Sequence, residues 1–165
     1  MVQSFEKDDF PKKVKTLNLL IRSDPFSLDL GQVVCYYSRM EQRTKEWLIQ
    51  SEYDMETAEY MHNGGRHIYA VFMCHLSIEK ALKGLFYEMR RSIPPKSHNL
   101  IYLFNEMGIK PPVEHGKFIV KLNEASIPTR YPENLQKLQM SYNEVAVKDI
   151  LIHRKEVVTW IKRQL

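Results

Sequence analysis

The chain has 165 residues, the length of one ordinary domain, which excludes two large domains. A hydrophobic fraction of 44% supplies enough apolar side chains for a continuous core, so global disorder is excluded as well. The formal net charge of +4 permits an RNA, a nucleotide or an acidic protein as a partner without demanding one, because a committed duplex binder usually carries a denser basic stripe.

The first 39 residues differ from the rest of the chain. They contain two prolines, scattered charges and only one short apolar stretch, residues 17–21. Because they carry no long periodic stripe, residues 1–39 are predicted to be an N-terminal extension and residues 40–165 the folded domain. A second interpretation is that translation normally begins at Met40, so that the preceding residues reflect a start-site error.

Two long helices are predicted next. From Arg43, apolar residues recur at steps of three and four, as in an amphipathic helix, until Gly64-Gly65 ends the pattern. Residues 66–90 repeat it with a wider apolar stripe, which predicts a buried helix, and the two prolines within residues 92–96 break it. Such a helix exposes more apolar area than one small bundle covers, so we expect a homodimer.

Three shorter or later helices complete the prediction. Ser97 is the predicted N-cap of a short helix over residues 98–107. A fourth helix is predicted over residues 113–126, and a last, long one over about residues 137–164. No segment alternates between apolar and polar residues as a half-buried strand does. The predicted fold class is therefore all-α, an antiparallel bundle of about five helices.

Cysteine content and hydropathy indicate the compartment. Only Cys35 and Cys74 occur, which excludes a disulfide framework and favours a reducing environment. No stretch approaches the roughly 18 apolar residues of a membrane span. Charged residues interrupt residues 1–10, where a secretory signal would have its apolar core. We therefore expect a cytoplasmic protein without a membrane span.

Several short motifs follow one another in a specific order between residues 43 and 165. They are Trp47 with Glu52, Asp54 and Ala58; Tyr69-Ala70-Val71-Phe72; Glu79-Lys80-Ala81-Leu82-Lys83-Gly84-Leu85; Ser97-His98-Asn99-Leu100; Thr129-Arg130-Tyr131-Pro132; and Trp160. Together they resemble the HEPN domain family of small all-helical bundles. The resemblance implies a homodimer that is often encoded beside a minimal nucleotidyltransferase, which acts as its antitoxin partner.

The same resemblance implies a candidate catalytic pair. Some family members are metal-independent ribonucleases whose motif is an Arg followed several residues later by a His. Six residues separate Arg91 from His98, at the upper limit of the family's spacing. His98 would move a proton and Arg91 would stabilise the phosphorane. Ser92 departs from the family motif, and the alternative is a structural His98 in the first turn of the third helix.

Basic and aromatic side chains are candidates for ligand binding. The lysines and arginines near the end of the second helix are predicted to line a cleft for a phosphate-bearing ligand, whereas the alternative is surface pairing of Glu79 with Lys83. Arg130 and Tyr131 suit phosphate contact and base stacking. Their alternative is a Tyr131 that plugs the bundle end and an Arg130 that pairs with an acidic side chain. The cleft candidates are Lys80, Lys83, Arg90, Arg91 and Lys96.

The remaining histidines predict no metal site. His75 lies on an apolar face and is predicted to be a core histidine whose ring is satisfied by a neighbouring carboxylate or hydroxyl. His62, His67 and His115 lack partners at ligand spacing. No structural metal and no cofactor are therefore expected.

Three functions remain open. The leading hypothesis is a HEPN-domain protein that binds a nucleotide or RNA in a basic cleft and works with a nucleotidyltransferase partner as a toxin–antitoxin type module. The alternative is a metal-independent endoribonuclease toxin that uses Arg91 and His98 across a dimer. A further alternative is a non-catalytic helical adaptor, which needs no cleft.

Overall fold

A computed structural model describes residues 40–165, and these residues form six α-helices and no strand. The all-α prediction is confirmed. The predicted extension, residues 1–39, lies outside the described residues. The helices are α1 (Gln42–Asn63), α2 (His67–Arg90), α3 (Leu100–Met107), α4 (Val113–Ala125), α5 (Leu135–Ser141) and α6 (Glu144–Lys162).

The predicted last helix is wrong in one respect, because it is two helices. Asn143 caps α6, and its side-chain oxygen accepts a hydrogen bond from the Ala146 N–H at 3.0 Å. Tyr142 leaves the helical conformation at the end of α5, with φ −106° and ψ 62°. Apolar residues continue at helical spacing through this break, so periodicity alone does not reveal it. The bundle consequently has six helices over residues 40–165, and the predicted helical bundle of about five helices is confirmed in class.

Helix α2 is the centre of the bundle. Fourteen of its residues are buried, which confirms the prediction of a buried helix. It packs against α1 and α6, and also contacts α3, α4 and α5. The wide apolar stripe of α2 therefore does not require a homodimer, because the other helices of the chain cover most of it. At Gly84 the backbone of α2 approaches α1 so closely that an added Cβ would lie 3.2 Å from Cβ of Trp47.

A buried arginine joins three helices. Arg154 of α6 is 2% exposed. Its Nε donates to Ser77 Oγ of α2 at 2.9 Å, and its Nη2 donates to the Ser51 carbonyl of α1 at 3.1 Å. The two serines also bond to each other's backbone carbonyls. This cluster fixes the rotation of α2 about its own axis, because it makes Ser77 face α1 and α6. Residues two positions before and after Ser77 then point to the opposite side of the helix.

None of the helices in residues 40–165 has the length and apolar character that crossing a membrane requires.

Candidate functional site

One face of α2 carries three polar side chains in a mostly apolar helix. His75, Glu79 and Lys83 follow one another at four-residue steps, so they lie in one line along the helix. All three are buried, with exposed fractions of 1%, 4% and 8%. Buried charges need partners, because removing an ion from water is costly. We call these three side chains the polar line.

Glu79 is the centre of the polar line, since both of its oxygens are bonded. Lys83 Nζ lies 2.6 Å from Oε1, and His98 Nδ1 lies 2.9 Å from Oε2. An ionised carboxylate can only accept, so Nδ1 of His98 carries a proton, and in the neutral tautomer with that proton Nε2 is an acceptor. The His98 side chain is 63% exposed. The imidazole therefore connects a buried carboxylate to the protein surface.

Glu79 pairs with Lys83, as in the alternative to a ligand-binding Lys83, but the location of the pair differs from that alternative. The pair is buried rather than on the helix surface. The Lys83 ammonium also lies 5.7 Å from the centre of the Trp47 ring, which is within the range of a cation–π interaction. Lys83 thus stabilises the carboxylate that holds His98.

The connection between α2 and α3 positions His98 through its neighbours. Ser97 Oγ accepts from the Asn99 N–H at 3.1 Å, and the Asn99 side chain accepts from the Tyr102 N–H at 3.0 Å. Asn99, not Ser97, is the N-cap of α3, so the prediction of Ser97 as the cap is wrong. His98 precedes α3 instead of lying in its first turn. From this position its side chain turns back toward α2 and contacts Glu79.

His75 differs from its prediction. Neither ring nitrogen has a hydrogen-bond partner among the described residues, so the expected carboxylate or hydroxyl partner is absent there. Burial lowers the pKa of His75 to about 4, and the nearby charges of Arg130 and His98 act in the same direction. The Glu79 carboxylate and the neighbouring His98 backbone oppose this shift of the pKa. The ring is therefore neutral at physiological pH.

Arg91 and His98 bind different carboxylates. Arg91 is the C-cap of α2 in the left-handed conformation, with φ 52°. Its guanidinium lies 3.0 Å from Glu41 Oε1 and 2.8 Å from Glu88 Oε1, whereas His98 binds Glu79. The structure does not bring the predicted catalytic pair onto a common partner.

The other predicted basic residues are distributed around the site. Lys80 pairs with Asp54 at 2.8 Å and thereby links α2 to α1. Arg90 Nη2 donates to the Glu106 carbonyl at 3.2 Å. Arg90 and Lys96 are exposed. Arg91 is exposed as well, but its charge is paired with Glu41 and Glu88, so Arg90 and Lys96 are the exposed cleft candidates without a described carboxylate partner.

Arg130 and Tyr131 follow α4. Arg130 Nε donates to the Ser126 carbonyl at 2.9 Å, and its guanidinium lies 5.6 Å from the centre of the Phe72 ring of α2. The positive charge of Arg130 acts on the polar line, because it lowers the pKa of His75. Tyr131 is 74% exposed, so the alternative in which it plugs the bundle end is wrong. Among residues 40–165, the partners of Arg130 are a carbonyl and a ring rather than an acidic side chain.

The central role of Glu79 was missed by sequence reasoning, although a signal was present. Three polar residues at four-residue steps within an apolar stripe predict a line of buried polar groups. The other partner of Glu79 is His98, which lies just before α3. Its position in the sequence has no periodic relation to the residues of α2. That contact depends on how the α2–α3 connection folds back.

A family comparison identifies the domain type. The family model described as HEPN domain matches residues 44–164, which is most of the chain. No match was found among curated proteins.

Two solved structures share the fold. The crystal structure of TT1696 from Thermus thermophilus superposes with a TM-score of 0.66 at 22% identity, over 76% of this chain and 100% of that one. The crystal structure of ST0689, described as an archaeal HEPN homologue, superposes with a TM-score of 0.60 at 26% identity, over 75% of this chain and 98% of that one. Both similarities cover nearly the whole of the two solved chains and 75–76% of this one.

Proposed function

The chain belongs to the HEPN domain family, and on that basis we propose that it binds a nucleotide or RNA at the surface around His98. The observation that carries this proposal is the 2.9 Å contact of exposed His98 with buried Glu79. The imidazole is held beside a basic connection, because residues 89–105 contain no Asp or Glu and contribute the charges of Arg90 and Lys96 in addition to Arg91, which pairs with Glu41 and Glu88. An anionic ligand is attracted to such a segment.

Each part of the proposed site has a chemical role. Arg90 and Lys96 contact phosphate groups, and His98 forms a hydrogen bond with the ligand through Nε2. Arg130 adds a guanidinium near the polar line, and the exposed Tyr131 ring offers a face on which a base stacks. Lys83 contributes indirectly, since its ammonium is bound to Glu79.

A metal-independent endoribonuclease is the second candidate. It is favoured by the orientation of His98, because a carboxylate that binds Nδ1 leaves Nε2 as a general base. In that reaction His98 takes the proton of the RNA 2′-hydroxyl, the 2′ oxygen bonds to phosphorus, and the P–O5′ bond breaks. The leaving 5′ oxygen takes a proton from water, and His98 returns its own proton to solvent. The products are a 2′,3′-cyclic phosphate and a 5′-hydroxyl. Arg91, from the same chain or from a second copy, would stabilise the phosphorane only after leaving Glu41 and Glu88.

We expect a homodimer at micromolar concentration, measured by sedimentation velocity. Ile93, Ile101 and Tyr102 are apolar, exposed and close to His98 in sequence, which supports an interface at this face. Ile101→Lys should then shift the population to monomer, because the lysine charge would lose its water at the interface. Ile152→Lys is the matched control on α6 and should leave the dimer intact. A wild-type chain that sediments only as a monomer would refute the expectation.

A minimal nucleotidyltransferase is the proposed protein partner, and the module is of the toxin–antitoxin type. This part of the proposal rests on the family resemblance. A reading frame for such an enzyme beside this one would support it. The cytoplasmic location likewise stays a prediction.

We expect the purified protein to bind a single-stranded RNA oligonucleotide in EDTA, with an affinity that falls as salt is raised. Lys96→Ala should reduce the slope of log K against log salt by about 0.7, the value for one lost phosphate contact on a single strand. His98→Ala should weaken binding about tenfold, because a hydrogen bond to a charged group is lost. Lys148→Ala, an exposed lysine on α6, is the control that should change neither quantity. Fluorescence anisotropy at several salt concentrations measures both.

The same samples separate the candidate functions. We expect little cleavage by the wild type. EDTA-resistant cleavage that leaves a cyclic phosphate and disappears in both His98→Ala and Arg91→Ala would establish the endoribonuclease instead. Binding that is equally strong in all variants would place the ligand elsewhere, and no binding of RNA or ATP would favour the helical adaptor.

A further inference from the structure

The turn between α1 and α2 brings two histidine side chains together. His62 lies in the last turn of α1, and His67 is the first residue of α2. Their Nδ1 atoms are 3.2 Å apart, and their ring centres are 5.1 Å apart with the planes inclined at 50°. Both side chains are half-buried, so the surrounding protein restricts their rotation.

The backbone of the turn holds this arrangement. Gly65 adopts the left-handed conformation, with φ 70°, and its N–H donates to the His62 carbonyl at 3.0 Å. The Arg66 N–H donates to the Met61 carbonyl at 2.7 Å. These bonds close the C-terminus of α1 and direct the chain back, so His67 begins the next helix beside His62.

The geometry of the two rings matches that of a metal chelate. Two imidazole nitrogens bound to one tetrahedral zinc ion lie about 3.3 Å apart, and their ring centres lie about 5.2 Å apart. A straight N–H···N bond at the observed nitrogen separation would place the ring centres about 5.5 Å apart. The observed 5.1 Å shows that the rings are inclined to the line joining the two nitrogens. A shared ion that both Nδ1 atoms face produces an inclination of this size, as the distance of about 5.2 Å in the chelate shows.

We propose that His62 and His67 bind one divalent transition metal ion, with Zn²⁺ as the reference case, through both Nδ1 atoms. Imidazole nitrogen is a good ligand for zinc, nickel and copper. Within residues 40–165 no group of three or more His, Cys, Asp or Glu side chains could hold a metal ion. The site is therefore bidentate, and water fills the remaining positions of the ion.

Ion binding requires only a change of tautomer. Without the ion, one Nδ1–H donates to the other Nδ1. In the complex both rings carry their proton on Nε2. The ring that carried its proton on Nδ1 therefore moves that proton to its Nε2 by exchange with solvent. No net proton is released, and no oxidation or reduction is involved.

This site is independent of the proposed nucleotide or RNA site. Glu79 lies twelve positions after His67 on α2, which is about 18 Å along the helix axis. The ion would join the end of α1 to the start of α2, so its main effect is to stabilise the turn. His62 and His67 are five residues apart in sequence, and the turn between α1 and α2 brings their rings into contact.

The test uses the full chain without a histidine tag. Isothermal titration with ZnCl₂ should give one ion per chain, and Tm should rise by about 4 °C at a zinc concentration ten times the Kd. His62→Asn and His67→Asn should each abolish the binding heat and the zinc-dependent rise in Tm. His115→Asn, a histidine in contact with the Trp160 ring, is the matched control and should retain both. Each variant is compared with its own Tm without zinc, so a change in basal stability does not affect the result.

A spectroscopic readout identifies the ligand atoms. Long-range ¹H–¹⁵N spectra should show that the Nδ1 resonances of both imidazoles shift on addition of zinc. The proposal is overturned by an absence of binding heat, by binding that survives both Asn variants, or by one ion per two chains. RNA binding by His62→Asn should equal that of the wild type, so failure of this proposal and failure of the proposed function are separate results.

Discussion

Replacing Glu79 with Leu is expected to lower the free energy of unfolding by about 3–5 kcal/mol, because it leaves the buried Lys83 ammonium without its counter-ion. The Lys83 side chain is 11% exposed, and its Nζ lies 2.6 Å from Glu79 Oε1. Water therefore cannot fully replace the lost carboxylate. Urea unfolding at pH 7 measures the change.

The double variant Glu79→Leu/Lys83→Met separates charge from packing. Replacing a buried ion pair by apolar side chains of similar volume is often nearly neutral, so we expect the double variant to regain most of the lost stability. Breaking the exposed pair of Glu114 and Lys117 by Glu114→Ala is the control, and it should leave the urea midpoint unchanged. Equal stability of the single and double variants would mean that Lys83 reaches water without Glu79.

The double variant also tests the positioning of His98. It removes the acceptor of His98 Nδ1 while keeping the fold, so the ring loses its preferred tautomer and orientation. RNA affinity should fall toward that of His98→Ala although unfolding remains cooperative. Unchanged affinity would show that Glu79 has only a structural role.

Stability should decrease by about 3 kcal/mol as the pH falls from about 6.5 to about 4, because His75 takes up a proton in the unfolded chain before it does so in the folded one. Burial lowers the pKa of the folded-state ring to about 4 from the ordinary value of 6.5. Between these two values the unfolded state binds more protons, and the slope of unfolding free energy against pH is positive. Above pH 6.5 this contribution is fully present.

His75→Leu should remove this slope, since leucine cannot take up a proton, and it also replaces two ring nitrogens that lack partners among the described residues. Glu52→Gln is the control at lower pH. Burial alone would raise the pKa of the Glu52 carboxyl, but Lys162 and Arg154 together lower it, so its contribution is lost below the ordinary value of 4.5. The Glu52 variant should keep the slope between pH 6.5 and 4.5. Equal slopes in the wild type and His75→Leu would contradict the assignment to His75.

The sequence by itself determined the helical class, the two long helices and the family. The apolar period along α1 and α2 is a local property of the chain, and the breaks at Gly64-Gly65 and at Pro94-Pro95 follow from the backbone chemistry of glycine and proline. The Glu79–Lys83 pair is also local, because residues four apart are neighbours on any α-helix. The sequence pattern does not show the division between α5 and α6, because the Asn143 cap lies within a continuous apolar pattern.

Only the tertiary structure decided which distant side chains meet. Arg91 and His98 are close in sequence yet bind different carboxylates, because the left-handed cap at Arg91 turns the chain away before His98 returns to α2. The packing of α2 places the His75 ring where no described residue provides the expected hydrogen-bond partner. His62 and His67 met because a glycine turn reverses the chain between them. Periodicity specifies which face of a helix is apolar, whereas contacts between polar groups depend on loop geometry and on the rotation of each helix in the bundle.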